Sequence, residues 1–130
     1  VGSEMCIRDR QDPYAWLTRD RAVRDVYRAD PLCTFKFSLS AMQDLVTLNR
    51  VSNSGKCLDS LAAGYPILLL SGDSDPVGGY GRGVTDVYNR LRGRGADVRM
   101  KLYPGGRHEI LNDSCRDEVI GDIRNFLDCQ

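Results

Sequence analysis

The four consecutive aliphatic residues Ile67-Leu68-Leu69-Leu70, reached through Tyr65-Pro66, constrain the fold more than any other feature of the sequence. The run is far too short to span a bilayer. It suits a parallel strand covered on both faces, because such strands lose the alternation that a half-exposed strand keeps. Downstream, Val84, Val87, Tyr88 and Leu91 fall at helical spacing over residues 83–91, and Gly93 and Gly95 close that helix. Residues 97–103 then alternate, with Val98, Met100 and Leu102 facing one way and Arg99, Lys101 and Tyr103 the other. That is the pattern of a half-exposed strand at a sheet edge. A last helix from about Cys115, capped by Asn112, Asp113 or Ser114, carries the stripe Val119, Ile120, Ile123, Phe126 and Leu127. Strand, helix, strand, helix makes a right-handed βαβ unit with a closing helix, so the expected fold class is α/β. The first strand needs a neighbour on each edge, and this chain supplies only one. More sheet is expected upstream, since an unpaired aliphatic edge invites aggregation.

The segment before the first strand reads differently. Over residues 11–63 helix and loop are expected, without a convincing strand. Thr18 is placed to cap a helix over residues 19–29 with Ala22, Val23, Val26 and Tyr27 as its apolar stripe. Asp30-Pro31 stops it, because the residue before proline is pushed out of the helical region. A second helix starts near Ser38 or Ser40, buries Ala41, Met42, Leu45, Val46 and Leu48, and gives way to loop at Ser52-Asn53-Ser54-Gly55. The connection over residues 52–64 is long and polar. Residues 1–10, VGSEMCIRDR, show no periodicity and no signal-peptide core. They resemble translated adapter or read-through sequence, which puts the natural chain's continuation upstream of about Gln11.

Eighteen basic residues balance eighteen acidic ones. That balance gives no reason to expect nucleic acid or an anionic membrane as the main partner. Five cysteines (Cys6, Cys33, Cys57, Cys115 and Cys129) include no C-x-x-C pair, so neither a zinc site nor a thioredoxin-type motif is supported. Reduced thiols in the cytoplasm are the simplest reading.

Two loops carry chemistry, each directly after a strand, where open α/β sheets place their functional groups. The first is Ser71-Gly72-Asp73-Ser74-Asp75-Pro76-Val77-Gly78. The second, Tyr103-Pro104-Gly105-Gly106-Arg107-His108-Glu109, presents the single histidine of the chain. If both strands run parallel, Asp75 and His108 leave the same end of the sheet and can meet. Such a pair is a general-base device: the carboxylate holds one imidazole nitrogen as N–H while the other takes a proton from a hydroxyl. The plainer alternative is that Asp73 and Asp75 only build a turn and His108 lies at the surface.

The residues GDSDPVGGYGRGV, VYNRLRGRGADVRMKLYPGGRHEILN and RDEVIGDIRNFLD together resemble the C-terminal segment of α/β-hydrolases. The nearest branch is the monoacylglycerol lipase, lysophospholipase and serine aminopeptidase-like group, and the match covers about residues 64–128. Residues 16–31 with Leu32-Cys33 resemble the end of that group's helical cap. The resemblance implies residues 11–63 as the end of a cap with its connecting loop. It implies residues 64–130 as the last two parallel strands of the core with their helices. It also implies Asp75 as the catalytic acid, Asp73 being the rival, and His108 as the base. Arg107 and Glu109 flank the base as supporting or packing residues. Trp16, Tyr14, Phe35 and Phe37 either line an acyl pocket or simply pack the cap, and Tyr103 is filler.

One departure matters most. The family's nucleophile sits in G-x-S-x-G upstream of the acid and base, and no such motif occurs here. Ser38, Ser40, Ser71 and Ser74 lack its flanking glycines. The expectation is a parent serine hydrolase of small ester or lipid substrates, needing no cofactor or metal and containing no integral membrane segment, of which this chain alone is inactive. The rivals are a catalytically inactive binding or scaffolding module and a complete small structural domain. Thioesterase, acyltransferase or peptidase chemistry on the same triad stays open.

Overall fold

In the computed structural model, which describes residues 12–62 and 65–129, the aliphatic run lies in strand β1 (Ile67–Gly72). It pairs in parallel with β2 (Val98–Tyr103), from Ile67 opposite Val98 to Gly72 opposite Tyr103. Among the described residues, three helices precede the pair: α1 (Arg21–Ala29), α2 (Leu39–Ser52) and α3 (Gly55–Ala62). Helix α4 (Arg82–Arg92) connects the strands, and a 3-10 turn (Ile110–Asn112) leads into α5 (Arg116–Asp128).

Alternation along β1 divides its side chains between two layers. Ile67 and Leu69 pack on one side against Leu58 of α3, Leu91 of α4 and Val98, with Val87, Tyr88 and Ala96 around them. Leu68 and Leu70 face the other side, where they line an apolar groove of about 420 Å³ with Ile110, Leu111, Val119, Ile123 and Phe126. Covering of β1 is incomplete: Ile67 to Ser71 are half-buried, and among the described residues only β2 pairs with the strand.

Several expectations need correction. Asp20, not Thr18, caps α1, accepting from the amides of Ala22 and Val23. Thr18 is instead wholly buried, its hydroxyl donating to Asn112 O at 2.8 Å. The expected stripe of α1 is only half-covered at Val23 and Tyr27, while Val26 is 71% exposed. Helix α2 starts where expected, with Ser38 as its cap, yet the face assigned to the interior lies open, with Leu45 at 54%, Val46 at 65% and Leu48 at 66% exposure. Nothing among the described residues covers it. The polar connection contains α3, which Ser54 opens by accepting from Cys57 N at 3.3 Å and which contributes the buried Leu58. Short length and a glycine start hid that helix from its pattern.

The outward side of β2 is also more covered than its polar residues suggest. Tyr103 is fully buried and donates its hydroxyl to Asp122 Oδ2 of α5 at 2.7 Å. Lys101 Nζ bridges Asp122 at 2.6 Å and Glu118 at 2.9 Å, and the Arg99 guanidinium lies over the Phe126 ring. Burial, aided by the Asp122 contact, pushes the Tyr103 phenol well up. Bonds from Lys101 and Tyr103 hold the Asp122 carboxyl below its ordinary 3.8.

Removing Asp122 strands a buried hydroxyl, so Asp122→Ala is expected to cost about 1–3 kcal/mol in urea denaturation at pH 7. Because the folded carboxyl titrates below its unfolded value, that stabilisation is complete above about pH 4 and is lost as the pH falls further. The gap between wild type and variant should therefore narrow in acid, and a gap that widens there would contradict this account of the seam.

Candidate active site

The strands do not end their pairing at their last residues. Asp73 N donates to Tyr103 O at 3.1 Å and Ser74 N to Gly106 O at 3.0 Å, so the loops after β1 and β2 continue side by side. Two glycines permit this. A Cβ on Gly72 would stand 2.0 Å from Gly106 O, and one on Gly106 would stand 3.2 Å from the Gly72 Cα. The backbones touch where any side chain would part them.

This contact brings the predicted acid and base together. Asp75 Oδ2 lies 3.1 Å from His108 Nδ1. The Asp75 side chain is 8% exposed and that of His108 is 39% exposed, so the carboxylate is enclosed while the imidazole keeps an open side. Asp75 Oδ1 accepts from Val77 N at 2.9 Å, and Asp75 O accepts from Tyr80 N at 2.7 Å. The turn that achieves this runs through Gly79, Tyr80 and Gly81, all at positive φ. For Tyr80 that conformation costs about 1–2 kcal/mol, which the bond to Asp75 O helps offset.

Asp73, the rival acid, is turned elsewhere. Its Oδ1 accepts from Gly105 N at 2.7 Å and from the Ser74 hydroxyl at 2.9 Å, joining the two loops at their base. The serines here serve their own segments. Ser71 donates to Gly72 O, Ser38 accepts from Ala41 N, and Ser40 shares a bond with Ser38.

The aromatic residues separate. The Trp16 ring lies 5.3 Å from the His108 ring at 48°. Tyr14 packs on Tyr27, and Phe35 packs on Phe37, where both are more than half exposed. Of the four proposed as pocket-lining, only Trp16 is placed against the imidazole.

Beside His108 lies a network that the sequence did not single out. His108 N donates to Trp16 O at 3.3 Å and Glu109 N to Leu17 O at 2.8 Å. Arg107 N donates to Asp113 Oδ2 at 3.0 Å, and the Arg107 guanidinium donates to Ala15 O. Arg19 Nε donates to Asp113 Oδ1 at 2.8 Å. Asp113 was expected only as one of three candidate caps for the last helix. Burial alone would raise its carboxyl, but the bonds from Arg107, Arg19 and Ser114 outweigh burial and hold it below the usual range. Partners 94 residues apart leave no local signal in the sequence. Among the described residues no cluster of three or more His, Cys, Asp or Glu is placed to hold a metal ion.

The model of the family described as serine aminopeptidase, S33, matches residues 5–115. The monoacylglycerol lipase of Mycolicibacterium smegmatis is 29% identical over 117 residues, which are 85% of this chain and 38% of the lipase. A highly thermostable carboxyl esterase from Bacillus coagulans, solved in complex with glycerol, matches with a TM-score of 0.84 at 33% identity. That match covers 94% of this chain and 40% of the esterase, so the chain spans well under half the length of these relatives.

Gly72→Ala tests the backbone contact. It should destabilise the protein by about 3 kcal/mol, at the upper end for overpacking, because backbone atoms must move to admit the methyl. Thermal denaturation reads this directly, and an unchanged midpoint would mean that the two loops are not in contact.

Proposed function

Because this chain belongs to the serine aminopeptidase S33 family of α/β-hydrolases, we propose that it is the C-terminal part of a serine hydrolase cleaving carboxylic esters. The observation that carries this reading is the 3.1 Å contact between His108 Nδ1 and Asp75 Oδ2 beyond the ends of two adjacent parallel strands. Family membership and the likeness to a carboxyl esterase support it.

In this reading residues 64–130 complete the hydrolase core, and residues 11–63 are the end of a cap with its connection. The nucleophilic serine and the oxyanion-hole donors belong to sequence outside these 130 residues, consistent with the lack of G-x-S-x-G here. The serine hydroxyl attacks the ester carbonyl while His108 Nε2 accepts its proton. Asp75 holds the Nδ1–H and balances the imidazolium charge. The same proton then goes to the leaving alcohol. Water, deprotonated by His108 in turn, hydrolyses the acyl-enzyme and releases the acid. The half-exposed imidazole suits this role, since one nitrogen is occupied by Asp75 and the ring's other side remains open. Acylglycerols and other small acyl esters are the proposed substrates, acted on in the cytoplasm, where thiols such as the free Cys33, Cys57, Cys115 and Cys129 stay reduced. No described helix is long and apolar enough to cross a membrane.

In the full-length protein, His108→Ala and Asp75→Asn should each lower kcat on a p-nitrophenyl or monoacylglycerol ester by about 10³–10⁴-fold, with small effects on KM. Retention of most activity by the His108 variant would sink the assignment.

A further inference from the structure

The triad chemistry makes no use of the ion pair between Asp113 and Arg19, although among the ion pairs of the described residues its carboxylate is the most enclosed. The Asp113 side chain is 0% exposed and its partner Arg19 is 34% exposed. We propose that Asp113 and Arg19 are positioning residues that lock the histidine loop to the segment entering α1, and so set the placement of His108 against Asp75. This inference rests on the hydrolase reading and deepens it.

The hydrogen bonds around the base point this way. Three consecutive amides, those of Arg107, His108 and Glu109, are each held from outside the loop's own turn, by Asp113 Oδ2, Trp16 O and Leu17 O. Asp113 therefore grips the amide of the residue immediately before the base. It also accepts from Ser114 N at 2.6 Å and from the Ser114 hydroxyl at 3.1 Å, so its carboxylate is immobilised at its own end of the loop.

Arg19 spans the loop. One end of its guanidinium meets Asp113, and Nη1 reaches back to Pro104 O at 3.4 Å. A Cβ on Gly105 would stand 2.8 Å from the same nitrogen, so the loop's first turn fits closely around this side chain. Thr18, next to Arg19, adds its bond to Asn112 O. Residues 15–19 and residues 104–113 are thereby joined by two backbone bonds and by the side chains of Thr18, Arg19 and Arg107. The imidazole meets Asp75 at Nδ1 and lies against the Trp16 ring.

Such a lock matters because a base must stand within hydrogen-bond reach of its proton. Asn at position 113 keeps the size of the side chain but puts an NH₂ group where one of the two acceptors, facing Arg107 N and Arg19, now stands. The loop must shift to relieve that conflict. A displacement of roughly 1 Å is enough to lower kcat about 10²-fold without touching substrate.

The test uses the full-length hydrolase, with kcat expressed per active site titrated by a fluorophosphonate, which excludes loss through misfolding. Asp113→Asn should lower kcat about 10–100-fold with KM changed less than about twofold. Arg19→Gln should lower it less, Arg19→Lys should restore part of that loss, and the double variant should be no worse than Asp113→Asn alone, as expected for residues acting as a unit. Arg21→Ala, which breaks only a surface pair with Asp25, serves as control and should leave kcat unchanged. A kcat per titrated site within twofold of wild type for Asp113→Asn, or a change confined to KM, overturns the proposal. A protein with no titratable serine and no esterase activity defeats the hydrolase reading instead. The positioning claim is then decided by the imidazole ¹⁵N signals of His108, identified by their loss in His108→Gln. Signals that shift or broaden in Asp113→Asn sustain the lock, and unchanged signals overturn it.

Discussion

Backbone contact between Gly72 and Gly106 is the constraint on which the arrangement of this protein depends. The parallel register of β1 on β2 brings the two strand ends level, but level ends alone leave the following loops free to diverge. They do not diverge, because the absence of a side chain at both positions lets peptide meet peptide just past the sheet. Asp73, held by Gly105 N, then ties the loops at their base, and Asp75 and His108 meet one turn further out. The acid–base geometry is thus an extension of strand pairing. Two glycines and a turn at positive φ bring the loops together, and the bonds of Asp113 and Arg19 hold the histidine loop from its other side.

Around this contact the two faces of the strand pair are covered by different forces. On one face Leu58, Leu91 and Val98 form a small aliphatic core. On the other, α5 is held partly by charge, through Lys101, Glu118, Asp122 and the buried Tyr103 hydroxyl. Asp117 and Glu118 in the first turn of α5 also suit its N-terminal dipole, which replaces the side-chain cap that the helix lacks. Among the described residues, two sets of apolar residues are only partly covered. One is the groove lined by Leu68, Leu70 and Phe126, and the other is the open side of α2. Both accord with a chain that spans 40% of the esterase it resembles.

Legibility of the fold in the sequence followed the range of the interactions involved. Both strands, α4, α5 and the end of α1 at Asp30 were readable, since hydrophobic period and the proline rule act over a few residues. Burial was less readable. The pattern of α2 marks a face that seeks cover and is silent on whether cover is present. The pattern of β2 marks Arg99, Lys101 and Tyr103 as outward-facing and is silent on a helix that brings carboxylates to meet them.

The sequence by itself determined the α/β class, the two loops that hold the candidate acid and base, and the family to which they point, because each is encoded in adjacent residues. Tertiary structure decided which aspartate meets the histidine. Asp73 and Asp75 are two residues apart and alike in chemistry, and only the path of the turn sends one to Gly105 N and the other to His108 Nδ1. It likewise decided that Thr18, Arg19 and Asp113 surround the histidine loop, since their contacts close across some ninety residues of chain. Local pattern specifies elements and their ends, whereas the pairing of distant polar groups exists only once the backbone has brought them within about 3 Å.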